Sequence, residues 1–193
     1  HQWESVQGNL QVSILINDFP FLELTWIPHR VSVCVLQALI SLGVDDSLIQ
    51  LKWPNDLWTD RSKKIAGILC EKKGDVIIAG IGLNLVSAPA AKVDSPSFDA
   101  GVVPRREPLS VDEVLEKILF YLSEPMSLTE LKLIYEKYAL FQVGDSIEWQ
   151  KDSVGGKTSG RVVGLGAHGE IIVECEGKKI PLFTEDVRAV RLC

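Results

Sequence analysis

The sequence has no apolar run long enough to span a membrane and no secretory signal pattern. Its three histidines do not cluster, so neither a metal site nor a histidine base is indicated. Its four cysteines are widely spaced without a C-x-x-C pair, which favours buried free thiols over disulfides or zinc. Free thiols indicate a reducing, cytosolic compartment. The net charge of −6 argues against broad binding to nucleic acid, but allows a local basic pocket.

Several nucleotide and catalytic motifs are also missing. There is no Walker loop, no H-E-x-x-H and no nucleophile elbow. Gly164–Gly169 fits the letters G-x-G-x-x-G, but a strand follows it where a dinucleotide site needs a helix, so we predict a β-turn. The chain begins at His1 and has a single methionine, Met126, which suggests a piece of a longer polypeptide.

What is present is enough for a folded core, since 46% of the 193 residues are hydrophobic and 24% are charged. Alternation and turn residues predict strands, and a mostly apolar run between Pro28 and Gly43 predicts a buried helix. The predicted elements of this part are strands at Leu10–Ile16, Phe21–Trp26 and Ile49–Trp53, a helix at His29–Leu42, and a hairpin of Ile65–Cys70 with Val76–Leu85.

The second half divides into a loop, two helices and a strand-rich tail. Residues 86–108 are rich in Ala, Pro, Ser and Asp, which indicates a surface loop. Capping boxes at Ser110 and Ser127 predict helices that end near Leu122 and Leu140. From Phe141 onward, short strands alternate with glycine turns. The fold class is therefore α+β, with a mixed sheet packed with helices over residues 1–140 and a small SH3-like β-barrel over residues 141–193.

The chemistry concentrates in residues 49–85. Lys52-Trp-Pro-Asn-Asp56 ends a strand in a polar corner, and Lys64 begins an apolar strand. Glycines at 67, 80 and 82 remove side chains from the neighbouring strands, as happens where a ligand approaches the backbone. These features suit an anionic ligand. The alternative is a strand end with turn formers and a solvated lysine.

Three motifs in register, KWPND, KKIAGIL and GIGLNL, resemble the catalytic core of biotin–protein ligases, and the strand-rich tail resembles that family's SH3-like domain. The resemblance implies an enzyme that uses biotin and MgATP to make biotinyl-5′-AMP. It then transfers biotin to a lysine on the biotin-carrier domain of a carboxylase. No metal ligands from the protein are implied, nor a membrane or nucleic-acid partner for this portion, and a homodimer is possible within the family.

The resemblance also assigns residues. Lys64 and Asp56 would be catalytic, with Lys64 touching both the biotin carboxylate and the α-phosphate and Asp56 placed near the incoming lysine. The implied biotin-binding residues are Trp3, Lys64, Gly67, Leu69 and Gly80. The implied nucleotide-binding residues are Lys52, Asn55, Asn84 on the adenine side, and Arg191, for which Arg188 is an alternative.

One departure concerns the start of the chain. Trp3-Glu-Ser-Val-Gln-Gly-Asn-Leu10 matches the stretch that follows the family's glycine–arginine-rich loop, and neither that loop nor a DNA-binding domain lies within the sequence. We therefore expect this piece alone to bind biotin poorly and to have little or no activity. Two alternatives stay open: a lipoate or octanoate ligase of the same superfamily, and a non-catalytic biotin-binding regulator.

Overall fold

The computed structural model describes residues 6–17, 23–89, 99–105, 107–150, 156–184 and 189–193. The first sheet uses β1 (Leu10–Ile16), β2 (Ile49–Lys52), β3 (Asp56–Thr59), β4 (Lys63–Lys73), β5 (Val76–Leu83) and the short β6 (Asp99–Ala100). The strands lie in the order β1-β5-β4-β3-β2, all antiparallel, and β6 pairs in parallel with β4. The sheet is therefore mixed, as predicted, through one short parallel pair.

The β4–β5 hairpin is the predicted one, with Lys73 opposite Val76 around Gly74. The predicted strand at Phe21–Trp26 is wrong where it can be compared, because Leu24–Trp26 forms a 3-10 helix. This turn leads directly into α1 (Ile27–Ser41), which begins two residues earlier than predicted. The Trp26 side chain is fully buried, so packing rather than strand propensity decides the local backbone. Gly43, at φ +85°, terminates the helix as expected.

Two further helices, α2 (Val111–Ser123) and α3 (Leu128–Tyr138), begin at the predicted capping residues. The Ser127 hydroxyl accepts from the Glu130 N–H, and the Glu130 carboxylate accepts from the Ser127 N–H, which completes the capping box. The buried guanidinium of Arg30 on α1 donates to the carbonyls of Tyr121 and Glu124, at the end of α2. None of the helices described here has the length and apolar character needed to cross a bilayer.

The second sheet consists of β7 (Ser146–Gln150), β8 (Lys157–Leu165), β9 (Ile171–Cys175), β10 (Lys178–Leu182) and β11 (Ala189–Leu192). Its strand order is β10-β9-β8-β7-β11, and within the described ranges the path does not close on itself. It is consistent with a small SH3-like domain, although the predicted barrel is an open sheet here. The G-x-G-x-x-G stretch is the turn between β8 and β9, as predicted.

Apolar packing forms two clusters. The first lies between α1, α2, α3 and the first sheet; the second joins the inward residues of the second sheet to Trp53, Trp58, Leu140 and Phe141. Because this second cluster takes members from both sides of residue 140, the division into domains at that point stays a prediction. All four cysteines are free; Cys34 is buried and Cys193 is exposed.

Candidate active site

One face of the first sheet carries the strip of glycines. Gly67 and Leu69 of β4 lie opposite Gly82 and Gly80 of β5, while the alternate residues of these strands are buried beneath α1. Leu69 is 58% exposed, so this face is open around Leu69 and Gly80, whereas Gly67 and Gly82 are buried. Gly80 also lies opposite Ser13 of β1, so the strip is bordered on both sides. The sheet thus offers a shallow surface where a ligand can approach the backbone.

A bulge places Lys64 on this face. Asp56 pairs with Gly67 and Leu57 with Ala66, but the register then shifts so that Trp58 lies opposite Lys64. Strict alternation would point Lys64 and Gly67, three residues apart, to opposite faces. The bulge gives β4 one extra residue, so Lys64 and Gly67 point to the same face. The Lys64 Nζ lies 2.7 Å from the Asp56 Oδ1. Two predicted catalytic residues therefore meet, through a device that alternation alone does not reveal.

The Lys64–Asp56 ion pair is mostly withdrawn from water. The two side chains are 24% and 14% exposed, so the attraction is less screened than in a surface pair. A lysine held in this way has a fixed direction. The pair can therefore act on an anion that reaches the end of the glycine strip.

Lys52 is a buried cation beside the pair. It lies opposite Asp56 across β2 and β3 and is only 7% exposed, with its Nζ 5.0 Å from the Trp58 ring centroid. Burial lowers the pKa of Lys52 to about 8; the Asp56 carboxylate opposes this shift, and Lys64 and Arg191 add to it. At neutral pH the ammonium is thus charged and poorly solvated, which favours an anionic partner.

Lys52 and Arg191 border the same cleft, of about 310 Å³, between the two sheets. Arg191 comes from β11, so the structure brings together Lys52 and Arg191, two predicted nucleotide-binding residues that are far apart in the sequence. Arg61 and Asp99 are the other charged residues that line it, beside the aromatic rings of Trp58 and Phe141. Three cations face one acid, which suits a polyanion. Arg188 and Trp3 lie outside the described residues.

The two predicted nucleotide asparagines already have protein partners. The Asn55 side-chain amide donates to the Ile68 carbonyl, and the Asn55 backbone carbonyl accepts from the Ile68 N–H at 3.0 Å. These two bonds tie the corner after Pro54 to β4. The Asn84 amide donates to the Gly101 carbonyl at 2.9 Å. Each therefore orders a loop at the site's edge, and the predicted contacts with the nucleotide stay predictions.

Asn9 lies close to the site, although it is not among the predicted site residues. Its side-chain oxygen accepts from the backbone N–H groups of Leu85, Val86 and Ser87 at 3.0, 3.0 and 3.3 Å, and its amide donates to the Ser87 carbonyl. It therefore fixes the backbone that follows Asn84. The sequence signal for this role is the polar Asn9 between Gly8 and the apolar strand β1.

The β8–β9 turn contacts the corner of the site from the second sheet. The Trp53 indole donates to the Gly169 carbonyl at 2.8 Å, and the Trp26 indole donates to the Ala167 carbonyl at 2.8 Å. The Tyr135 hydroxyl donates to the Pro54 carbonyl at 3.3 Å from α3. The chain turn that carries Asn55 and Asp56 is thus held from both sides. Nothing in the sequence pattern pointed to these long-range bonds.

His29 packs inside this junction. Its ring lies 5.1 Å from that of Trp26 and 4.8 Å from that of Tyr135, and the side chain is 3% exposed. Burial lowers the pKa of His29 to about 4, against a weaker opposing effect of the nearby Thr25 and Gly169 backbone. The imidazole is therefore neutral at physiological pH.

The described residues contain no group of three His, Cys, Asp or Glu side chains that could hold a metal ion. Magnesium commonly binds through one or two carboxylates together with substrate phosphates. Asp99, the acid in the cationic cleft, suits such shared binding. The residues therefore fit a magnesium ion that arrives with a polyphosphate rather than a metal held by the protein alone.

Fold and site together define an α+β domain with a lysine–carboxylate pair beside a glycine-lined sheet, bordered by a small β domain. Residues 1–85 match the model of the Biotin/lipoate A/B protein ligase family. Over 81 residues the chain is 35% identical to the biotin–[acetyl-CoA-carboxylase] ligase of Mycobacterium tuberculosis; the match covers 42% of this chain and spans 30% of the length of that curated relative.

Solved structures extend the similarity to the whole chain. The biotin protein ligase from Aquifex aeolicus in complex with biotin and ATP is 26% identical, with a TM-score of 0.79 over 100% of this chain and 82% of its own. The Leishmania major biotin protein ligase, at 22% identity and a TM-score of 0.63 over 95% and 81% of the two chains, shares the fold. The chain thus has the fold of the biotin protein ligases.

Proposed function

We propose that this chain is the catalytic region of a biotin–protein ligase, which activates biotin with ATP and transfers it to a lysine of a biotin-carrier domain. The observation that carries the proposal is the Lys64–Asp56 pair, with 2.7 Å between Nζ and Oδ1, at the end of the glycine strip. Both the similar ligases and the charged cleft beside Lys52 support it.

Biotin would lie on the open face of the first sheet. Gly80 leaves the backbone partly accessible there, Leu69 supplies an exposed apolar side chain, and the buried Gly67 leaves no side chain between the sheet and Lys64. A small bicyclic ligand can then bury apolar area against the sheet while its carboxylate reaches Lys64. Trp3, from the predicted biotin set, remains part of this proposal.

In the first step, a biotin carboxylate oxygen attacks the α-phosphorus of ATP, and the bond from that phosphorus to the bridging oxygen of pyrophosphate breaks. Two anions must approach each other, so fixed positive charge lowers the barrier. Lys64 would contact both the carboxylate and the α-phosphate. Lys52 stands behind it as a second cation whose burial strengthens its field. Asn55, Asn84 and Arg191 would contact the nucleotide.

In the second step, a carrier lysine attacks the acyl carbon of biotinyl-5′-AMP, and AMP leaves. The attacking amine must be neutral and correctly oriented. Asp56 would orient this amine and accept the proton that the amine loses, because the Asp56 carboxylate lies beside Lys64 at the reaction centre. Magnesium, when bound with the polyphosphate, would neutralise part of its charge.

The test compares two neighbouring lysines in the full-length polypeptide. We expect Lys64→Ala to reduce biotin-dependent adenylate formation by about a hundredfold to a thousandfold, the size typical for a lost electrostatic stabiliser. Lys63→Ala, which removes an exposed cation next to it, should change the rate little. Biotin-dependent exchange of labelled pyrophosphate into ATP measures the first step. Near-normal exchange in Lys64→Ala would remove Lys64 from the proposed role.

The substrate is tested separately, because the matched family includes lipoate as well as biotin ligases. We expect transfer of biotin, and not of lipoate or octanoate, to the carrier domain of a carboxylase. Binding without transfer by the full-length protein would instead favour the non-catalytic regulator. The homodimer stays a prediction, which sedimentation of the purified chain tests.

A further inference from the structure

Arg61 occupies a strained turn at the mouth of the charged cleft. Asp60 and Arg61, between β3 and β4, both have positive φ values, 52° and 54°, and the Ser62 N–H donates to the Thr59 carbonyl at 3.2 Å. Two consecutive left-handed residues make a tight hairpin turn that glycine or asparagine usually fills. Where other residues adopt it, the surrounding structure must hold it in place, and such strain often occurs at functional sites.

The contacts that hold the Arg61 side chain come from the second half of the chain, while its backbone N–H donates to the Gln50 side chain at 3.4 Å. One guanidinium nitrogen, Nη2, lies 3.2 Å from the Leu140 carbonyl and 3.3 Å from the Asp145 Oδ2. The side chains are 53% and 31% exposed, so water screens this ion pair. The same Asp145 oxygen also accepts from the Gln142 N–H at 3.0 Å. Asp145 therefore stays hydrogen-bonded if Arg61 leaves, and the contact costs little to break.

The cleft beneath Arg61 has a definite charge and position. Lys52 and Arg191 supply two further positive charges, against the single carboxylate of Asp99. Lys52 lies opposite Asp56 across β2 and β3, and Asp56 is paired with Lys64, which would contact the α-phosphate. The cations of the cleft, Lys52, Arg191 and Arg61, therefore extend away from Lys64. A chain of phosphates leaving the α-phosphate in this direction would enter the cleft and meet Arg61 at its mouth.

We propose that Arg61 binds the pyrophosphate end of the nucleotide, exchanging its ion pair with Asp145 for the terminal phosphates. The proposal rests on the proposed function, which places the α-phosphate at Lys64. A planar guanidinium forms two parallel hydrogen bonds to phosphate oxygens, which a single screened carboxylate contact does not match. When the bond to the α-phosphorus breaks, the leaving pyrophosphate carries the charge that Arg61 would hold. Asp145 thereby competes with the ligand for the same guanidinium.

The experiment measures the binding of inorganic pyrophosphate to the purified chain by calorimetry, without any turnover. We expect Arg61→Gln to weaken binding about tenfold, the loss typical of a charge-assisted hydrogen bond. Asp145→Asn keeps an acceptor for Gln142 and releases Arg61, so it should tighten binding about twofold to fivefold. In the double variant the Asp145 effect should vanish. Arg105→Gln, an exposed arginine outside the cleft, controls for the loss of one positive charge.

Three outcomes would overturn the proposal: no pyrophosphate binding by the unmodified chain, equal losses in Arg61→Gln and Arg105→Gln, or an Asp145 effect that persists without Arg61. A second readout separates this failure from failure of the proposed function. In the full-length protein, biotin-dependent pyrophosphate exchange should show a KM for pyrophosphate that rises more than kcat falls in Arg61→Gln. Absence of any exchange in the unmodified protein contradicts the ligase activity, while the calorimetric result stands on its own.

Discussion

The Trp53 indole donates its hydrogen bond to the carbonyl oxygen of Gly169 at 2.8 Å, across 116 residues of sequence. Trp53 directly precedes the Pro54-Asn55-Asp56 corner of the candidate site. Gly169 belongs to the β8–β9 turn of the second sheet, at φ +80°. This bond makes the second sheet part of the support for the site, because the corner cannot shift without breaking a buried hydrogen bond.

Replacing Gly169 by alanine should destabilise the protein by about 2–4 kcal/mol. A Cβ there would lie 2.9 Å from the His29 Cε1, and the positive φ disfavours any side chain. His29 cannot move away easily, since Trp26 and Tyr135 enclose its ring. Chemical denaturation monitored by tryptophan fluorescence measures the change in the free energy of unfolding.

Gly177→Ala is the matched control for that experiment. Gly177 has a similar positive φ of +75°, but no atom lies within 4 Å of the position of its Cβ. Its replacement should cost about 1 kcal/mol, from backbone strain alone. Equal losses in the two variants would contradict a tight contact between the turn and His29.

Asn9→Ala should lower the free energy of unfolding by about 2 kcal/mol, because three backbone N–H groups lose the acceptor they share. Asn9→Asp keeps that acceptor and should retain most of the stability, although it loses the donor to the Ser87 carbonyl. Thermal unfolding of the two variants separates the hydrogen bonds from the size of the side chain. Similar losses in both would assign the effect to something other than the shared acceptor.

Nucleotide binding should weaken as pH rises above 8. Burial lowers the pKa of Lys52 to about 8, so its ammonium loses a proton there, and a bound polyphosphate would raise that pKa again. ATP is already fully ionised in this range, so the change reports on the protein. We expect the Kd for ATP to rise up to about fivefold between pH 8 and 9. Lys52→Arg stays charged, and its Kd should change much less over the same range.

His29 should make folding sensitive to acid. Burial lowers its folded pKa to about 4 from the ordinary value of 6.5, so the unfolded state binds the proton more readily. The contribution of His29 to the free energy of unfolding is therefore fully present above pH 6.5 and is lost as the pH falls toward 4. The loss is about 2 kcal/mol at pH 5. Comparing wild type with His29→Phe isolates this effect, because the exposed His168–Glu23 pair is present in both. An unchanged pH dependence in His29→Phe would assign the acid sensitivity to other groups.

Much of the fold could be predicted from local patterns. The alternation in β1 and β5, the turn around Gly74 and the capping boxes of α2 and α3 each depend on residues close in sequence. Such features set local backbone geometry whatever surrounds them. The prediction failed at Leu24–Trp26, where burial of the Trp26 side chain imposes a 3-10 turn on residues whose propensities favour a strand.

By itself, then, the sequence determined the chemistry: which lysines, acids and glycines occur together, and that they end buried strands. Only the tertiary structure decided where those groups meet. The bulge at Trp58 turns Lys64 toward Asp56, and the second sheet brings Arg191 to the cleft. Asp145 pairs with Arg61, and the Gly169 carbonyl accepts from the Trp53 indole. A change of register or a contact across 116 residues leaves no periodic signal in the chain, because its energy comes from packing between distant segments.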